Sequence, residues 1–448
     1  MRPFPLSEAN PPEHLGRVPE ATEVVVIGGG MIGVTAALFL ARAGVPVVLL
    51  EKGRIAAEQS SRNWGWIRVQ GRDPDEIPIA HEAQRLWPSL AAEVDTDIGL
   101  TQGGVAYLAR DVGEMADFET WLAAAKPVGV STKRLDADGA ARLLPEAARR
   151  WAGALWTPTD MRAEPFVTVP ALARLAAKAG AVIRESCAVR CLDIEAGRVA
   201  GVVTEAGRIR AGAVVLAGGA WSSLLLRRHG VGLPQLSVRA TVVRTNALAD
   251  VFAGGAVDHR VAFRRRADGG YTLAPEGAHD LFVGPDALRA LPRFLPLLRK
   301  APFGTRLSPS APRGYPDAWG TRRRWAGDAT SPFERMRVLN PAPNTAFADR
   351  TVRDFAATFP GLGRVEIAAS WAGMIDTLPD VVPVVDTVGP LPGLTLATGM
   401  SGHGFGIGPA FGRIVADMVR GRPAGHDLSR FRFERFTDGS RTRLGPSL

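Results

Sequence analysis

Residues 22–52 read TEVVVIGGGMIGVTAALFLARAGVPVVLLEK, and this stretch decides the fold. Val24 to Ile27 form an apolar run of the length expected for a buried parallel strand. Gly28, Gly30 and Gly33 follow at once in G-x-G-x-x-G spacing. A small-residue helix then runs from Val34 to Ala43 and stops at Gly44, and a second apolar strand, Val45 to Leu50, ends on Glu51. Each part has a physical task. Gly28 makes the tight turn, Gly30 lets the backbone approach a pyrophosphate, and Gly33 lets helix and strand pack closely. The helix start, with Met31 and Ile32, offers unpaired N–H groups and a partial positive charge to phosphates. Glu51, with Lys52 after it, is placed to accept hydrogen bonds from a ribose 2′-hydroxyl. In this order the parts imply a Rossmann-type unit that binds a dinucleotide.

At 448 residues the chain can bury a large core, and its length suggests two or three domains. Its 46% apolar and 22% charged residues match a soluble globular protein. The longest apolar stretch is the quoted segment, broken by glycines and closed by an acid, so no transmembrane segment is expected. The Pro-rich first residues lack the apolar centre of a signal peptide, and a cytoplasmic setting is the expectation. The net charge of +9 rests almost wholly on arginine, in short clusters such as Arg264–Arg266 and Arg322–Arg324. These read as solvated faces or as a field for anionic substrates, and no nucleic-acid partner is expected. Cys187 and Cys191 would lie about 13 Å apart along a strand, too far for a disulfide. With no ligand spacing among the histidines, no metal is expected.

Helical periodicity marks residues 81–94, 111–126, 136–144, 164–179 and 346–359. Residues 179–223 read as a short-strand meander ending in a third apolar strand, Ala213 to Leu216, capped by residues 217–221. Beyond Pro234 the period shifts to two, and Asp268-Gly269-Gly270 makes a hairpin turn. Residues 301–344, rich in Pro, Arg and Trp, give no clear pattern. The order is nucleotide fold, insertion, nucleotide fold, insertion, nucleotide fold. The fold class expected is α/β, a Rossmann-type domain interwoven with an antiparallel-sheet α+β domain.

A second glycine cluster, Gly399-Met400-Ser401-Gly402-His403-Gly404-Phe405-Gly406-Ile407-Gly408-Pro409, follows a strand and opens a helix that Pro409 would start. A flat or anionic ligand can lie on backbone N–H groups there. His403 reads either as a residue that orients this loop or as a proton carrier.

The Gly28–Glu51 unit, SSRN at 60–63, VLAGGAW at 215–221, WAGMIDTLPD at 371–380 and GMSGHGFGIGPAFG at 399–412, in this order, resemble the FAD-dependent D-amino-acid oxidase, glycine oxidase and sarcosine oxidase superfamily. The resemblance covers nearly the whole chain. It implies an FAD-binding domain over 20–95, 165–235 and 366–430, a substrate domain over 96–164 and 236–365, an arm over 1–19 and a tail over 431–448. It further implies extended FAD, with the ribose on Glu51 and the pyrophosphate on Gly28 to Gly33. Ser60, Ser61, Arg62 and Asn63 would meet the flavin region, and the Val189 backbone the adenine. Gly218, Trp221, Gly373, Gly402, His403 and Gly404 would take the ribityl and pyrimidine end. The family reaction is hydride transfer from a carbon beside nitrogen to flavin, giving an imine that water hydrolyses.

Three departures stand out. The Gly-x-Arg-Pro that pairs with a substrate carboxylate in amino-acid-oxidising relatives is here Gly373-Met374-Ile375-Asp376. The lysine that promotes oxygen reduction in sarcosine-oxidase-like relatives is here Gly406, and Gly373 stands where a flavin-linking Cys would be. Non-covalent FAD is therefore expected. Any carboxylate needs another arginine: Arg62, Arg68, Arg239 and Arg264 are candidates, each with a structural alternative. Trp64, Trp66, Tyr271 and Trp371 read either as an aromatic wall over the flavin or as core. The leading expectation is an amine or amino-acid oxidase that passes electrons to oxygen and releases hydrogen peroxide. The alternative is a dehydrogenase serving a quinone or carrier protein, peripheral to the inner face of the membrane.

Overall fold

The computed structural model describes residues 4–300 and 305–445. Residues 1–3 of the expected arm, 446–448 of the expected tail and 301–304 of the Pro- and Arg-rich stretch lie outside the described residues. The elements used below run β1 (Ala21–Ile27), α1 (Met31–Arg42), β2 (Val47–Leu50), β3 (Gly207–Leu216), β4 (Leu236–Thr245) and β5 (Tyr271–Pro275). They continue with α2 (Pro285–Lys300), β6 (Thr305–Ser308), β7 (Ile367–Thr377), β8 (Leu394–Thr398) and α3 (Gly404–Val419).

β1 lies between β2 and β3 and is parallel to both, with Val26 opposite Leu49 and Val215. β8 extends this layer from β3 and Val182–Arg184 extends it from β2, both in parallel. Val24 to Ile27 and Val47 to Leu50 are buried throughout, because helices cover the layer and both faces of each strand must be apolar. A Cβ on Gly33 would stand 1.9 Å from the Gly28 carbonyl oxygen, so only glycine lets α1 sit this close to β1. Gly28 itself has φ +111° and a Cβ there would meet the Ala217 carbonyl oxygen at 2.4 Å.

α3 packs along α1 with equal intimacy. A Cβ on Gly408 would lie 2.2 Å from Met31 Cγ, and one on Gly412 would lie 2.1 Å from Thr35 Oγ1. Thr35 Oγ1 instead donates to the Gly408 carbonyl at 3.1 Å. The two helices therefore start side by side, and two sets of unpaired N–H groups converge. The helix α3 begins at Gly404, five residues before the expected start at Pro409. Gly408 has no Cβ, which removes the clash a proline normally imposes on its predecessor.

Among the described residues the second sheet has ten strands. β7, expected in the nucleotide fold, belongs here instead: it pairs antiparallel with β4 from Leu236–Thr377 to Thr245–Ile367. The long ladder on β4 holds it, and only the turn after Thr377 returns the chain to the first sheet. β5 and Val261–Arg265 form the predicted hairpin, with Gly269 at φ +81° in its turn. The arm packs rather than hangs free: Leu15 bridges Arg184, and the Glu185 carboxylate accepts from the His14 and Ile55 N–H groups at 2.9 and 2.8 Å. No helix among the described residues is long and apolar enough to cross a membrane.

Candidate active site

A cavity of about 880 Å³ runs from the glycine turn after β1, past the start of α3, to the floor formed by β4 and β5. At its first end Glu51 closes β2. One carboxylate oxygen accepts the Gly29 N–H at 2.8 Å and the other accepts the Gly53 N–H at 2.7 Å. Burial pushes this carboxyl up to about 7 against the pull of Lys52 and the two N–H donors. Gly30 lines the cavity before the helix, and a Cβ there would crowd Ser60 Oγ at 3.1 Å. Ser60 Oγ accepts the Met31 N–H at 2.9 Å, and Met31 and Ile32 also line the cavity.

The middle wall is a locked polar cluster. Lys52 Nζ donates to Glu58 at 2.6 Å and lies 4.4 Å from the centre of the Trp221 ring, whose Nε1 donates to the same carboxylate at 3.1 Å. Val189, Gly218 and Gly373 also line it. Asn63 bridges Ser60 O and the Gly65 N–H, and so turns the chain from SSRN into Trp64 and Trp66. Ser61 and Gly33, expected at the cofactor, do not line the cavity: Ser61 is buried behind the turn and Gly33 serves helix packing.

At the start of α3, Gly402, His403 and Gly404 face the cavity. The buried Asp376 carboxylate accepts from Gly399 N at 2.7 Å, Gln235 Nε2 at 3.0 Å and Thr398 Oγ1 at 3.2 Å, clamping the turn that precedes them. Both His403 ring nitrogens are buried without a partner among the described residues. Burial, then Arg72 and Arg68, hold its pKa well below the usual range, so the ring is neutral. Arg72 is itself buried and donates to the His403 carbonyl at 3.3 Å.

The third part is an aromatic chamber. Trp64 and Trp66 line it edge to face, 5.1 Å between ring centres, with Tyr107. Arg68 lies 5.8 Å from the Trp66 ring and 5.5 Å from the Tyr107 ring. Its guanidinium donates to the Gln70 carbonyl and the Tyr107 hydroxyl, and no carboxylate among the described residues pairs with it. Glu276 lines the same chamber; its carboxylate has no hydrogen-bond partner among the described residues, and burial raises its pKa to about 7.

Several expected site residues lie elsewhere. Arg62 touches the cavity wall, but its donors are spent on Ala57 O, Asn340 Oδ1, Ala372 O and Leu6 O. Arg239 projects away from the cavity, because side chains alternate on β4 and Ala240 and Val242 face the wall while Arg239 and Thr241 face the opposite side. It pairs with Asp280 at 2.9 Å. Arg264 is buried against Glu164 at 2.9 Å. Tyr271 is fully buried in the core with Phe263 and Phe355, its hydroxyl bonded to Val251 N and Ala249 O. Trp371 donates to Arg62 O at 3.0 Å and packs on Phe4 at 4.6 Å. None of these five is free to meet a substrate carboxylate or to wall a ring. Sequence reasoning missed Arg72, Tyr107 and Glu276, which carry no motif and meet only through the fold.

The bare backbone of Gly30 at the cavity, the acid at the end of β2, two converging helix starts and the partnerless His403 ring fit an extended flavin dinucleotide. Residues 23–418 match the family model described as DAO, FAD-dependent oxidoreductase, and the chain belongs to that family. It is an FAD-dependent oxidoreductase. Its relatives include a glycine oxidase of Geobacillus kaustophilus, 27% identical over 92% of this chain and 97% of that protein. A D-amino acid dehydrogenase of Paramagnetospirillum magneticum is 26% identical over 93% and 99%. Among solved structures, the L-amino acid deaminase of Proteus myxofaciens in complex with anthranilate superposes with a TM-score of 0.89 at 29% identity, covering 95% of this chain and 97% of that one.

Proposed function

We propose that the chain oxidises the C–N bond of an α-amino acid to an imine, which water then hydrolyses. The observation that carries this reading is Arg68, a guanidinium in an aromatic chamber with no protein carboxylate on it. FAD, held without a covalent bond, supplies the hydride acceptor. The start of α1 holds its pyrophosphate, Glu51 its ribose, the Val189 backbone its adenine, and Gly218, Trp221, Gly373 and Gly402 to Gly404 its ring end. Arg68 takes the substrate carboxylate by a paired, charge-assisted contact. Trp64, Trp66 and Tyr107 exclude water around the reacting carbon. A carboxylate oxygen of Glu276 takes the proton from the substrate ammonium, leaving the amine neutral, and its raised pKa suits that transfer near neutral pH. Neutral His403 offers a ring N–H to the cofactor's electron-rich edge.

Oxygen is the acceptor we propose, with hydrogen peroxide as its product. The dehydrogenase reading has one observation in its favour. Gly406, where oxidase relatives place a lysine, packs so that a Cβ would lie 2.8 Å from the Trp66 carbonyl oxygen, and no side chain fits. Peroxide release in air against turnover with a soluble quinone separates the two. For the substrate, Arg68→Met should raise KM for an amino acid by about a hundred-fold, the worth of one charged contact of ~2–3 kcal/mol. It should leave the weak turnover of the matching decarboxylated amine unchanged. Equal loss on both substrates refutes the carboxylate assignment.

A further inference from the structure

The helix α2 and the strand that follows it present a surface that the oxidoreductase chemistry does not use. α2 buries Ala287, Ala290 and Phe294 against Leu236. On the adjoining arc Leu288, Leu291 and Leu295 stand 53%, 44% and 39% exposed at helical spacing. Leu307, on the edge strand β6, is 63% exposed. Trp319 is 54% exposed, and it follows Asp317, whose carboxylate accepts the Asp286 and Ala287 N–H groups at the start of α2. That contact ties the Trp319 loop to the start of α2, where the leucine stripe begins. Scattered apolar residues need no explanation, but a stripe continued by an edge strand and an indole marks a contact face.

Charge decides what covers it. Between residues 285 and 325 the sequence has nine Lys or Arg and two Asp or Glu, so this segment carries +7 of the chain's +9. Both acids are occupied: Asp286 pairs with Arg227 at 2.7 Å and Asp317 with Arg323 at 3.1 Å. Arg299, Arg306, Arg313, Arg322 and Arg324 are exposed, with no pairing acid among the described residues. The leucines stand exposed on one helix beside these arginines, which suits a surface that offers both phosphates and acyl chains. A helix with an apolar stripe beside arginines lies in the headgroup region of a bilayer, its leucines at the acyl boundary.

We propose that α2, β6 and the Trp319 loop form a docking face for the surface of an anionic phospholipid bilayer. The face acts peripherally, through leucine insertion and arginine contacts to lipid phosphates. It stands apart from the substrate and cofactor assignments and does not depend on which electron acceptor the enzyme uses.

The test is sedimentation of the full-length holoprotein with vesicles of phosphatidylcholine alone or with about 30% phosphatidylglycerol, at low and high salt. The holoprotein should pellet with the anionic vesicles at low salt, and release at high salt. Leu288→Ser/Leu291→Ser/Leu295→Ser should lower vesicle affinity at least ten-fold, and each of Arg306→Gln and Arg313→Gln about five-fold. Because these side chains are exposed, the variants should stay yellow and folded. Equal pelleting on neutral and anionic vesicles, or none on either, overturns the proposal. So does a leucine variant that binds vesicles normally but converts a dimer to a monomer, since the face would then be a protein interface.

Discussion

Replacing Glu51 by Gln should have opposite effects on the empty protein and on the cofactor complex. In the empty protein the carboxylate is half-buried at the cavity wall and its pKa is raised from 4.5 to about 7. A raised carboxyl stabilises the fold fully below its unfolded pKa and loses that contribution as pH rises through the folded value. The shift spans about 2.5 units, so wild-type apoprotein should lose about 3 kcal/mol from this group between pH 4.5 and 8. A glutamine side chain has no proton to exchange, and the variant's stability curve should be flatter by that amount. Glu76, Asp160 and Glu276, also raised to about 7, would keep their own slopes. The cofactor should respond in the reverse sense. A Gln amide turns one acceptor into a donor that faces the Gly29 or Gly53 N–H, and a charge-assisted ribose contact is lost, ~1.5–3 kcal/mol. FAD affinity should fall about ten- to hundred-fold, read by quenching of FAD fluorescence. Chemical denaturation of the apoprotein across pH gives the first quantity. A variant with unchanged FAD affinity and an unchanged pH slope refutes the placement of Glu51 at a buried ribose.

Three further outcomes follow from the geometry. Glu276→Gln should lower kcat/KM for the amino acid about a hundred-fold and remove the limb that rises with pH toward about 7; an intact limb means another group takes the proton. Tyr271→Phe should cost about 1–3 kcal/mol of stability through the two hydrogen bonds of its buried hydroxyl, with KM unchanged. A rise in KM would return Tyr271 to the site. Gly33→Ala should abolish cofactor binding by unseating α1, because its Cβ would fall 1.9 Å from a carbonyl oxygen; a yellow, stable variant contradicts that packing.

The nucleotide half was legible because its chemistry is local. A buried parallel strand needs an unbroken apolar run, and a tight turn under a helix start needs glycine at fixed offsets, so residues 22–52 carry their own meaning. The clusters at 215–221 and 399–412 read for the same reason. The substrate half was not legible, because its members meet by strand alternation across a sheet. Arg239 and Ala240 are adjacent in sequence, yet only Ala240 faces the cavity. Arg62 stands within the SSRN motif and lines the wall, but its charge is consumed by backbone carbonyls from distant segments. β7 carried a cofactor-side motif on a strand that belongs to the other sheet, since one end of a long strand can reach a site its middle never sees. Arg68, one of four candidate arginines, differs from Arg239 and Arg264 in having no carboxylate on it and from Arg62 in facing the aromatic chamber, which spacing does not record.

The account rests on a cavity that holds flavin beside an amino-acid carboxylate. Its most direct test is an anaerobic titration of the FAD-loaded protein with a panel of D- and L-amino acids, N-methyl amino acids and arylalkyl amines. Bleaching of the flavin band by at least one amino acid, with a stoichiometric 2-oxo acid formed on hydrolysis, is the predicted result. Protein that takes up FAD yet stays oxidised with every amino acid, or is reduced only by amines lacking a carboxylate, would contradict it.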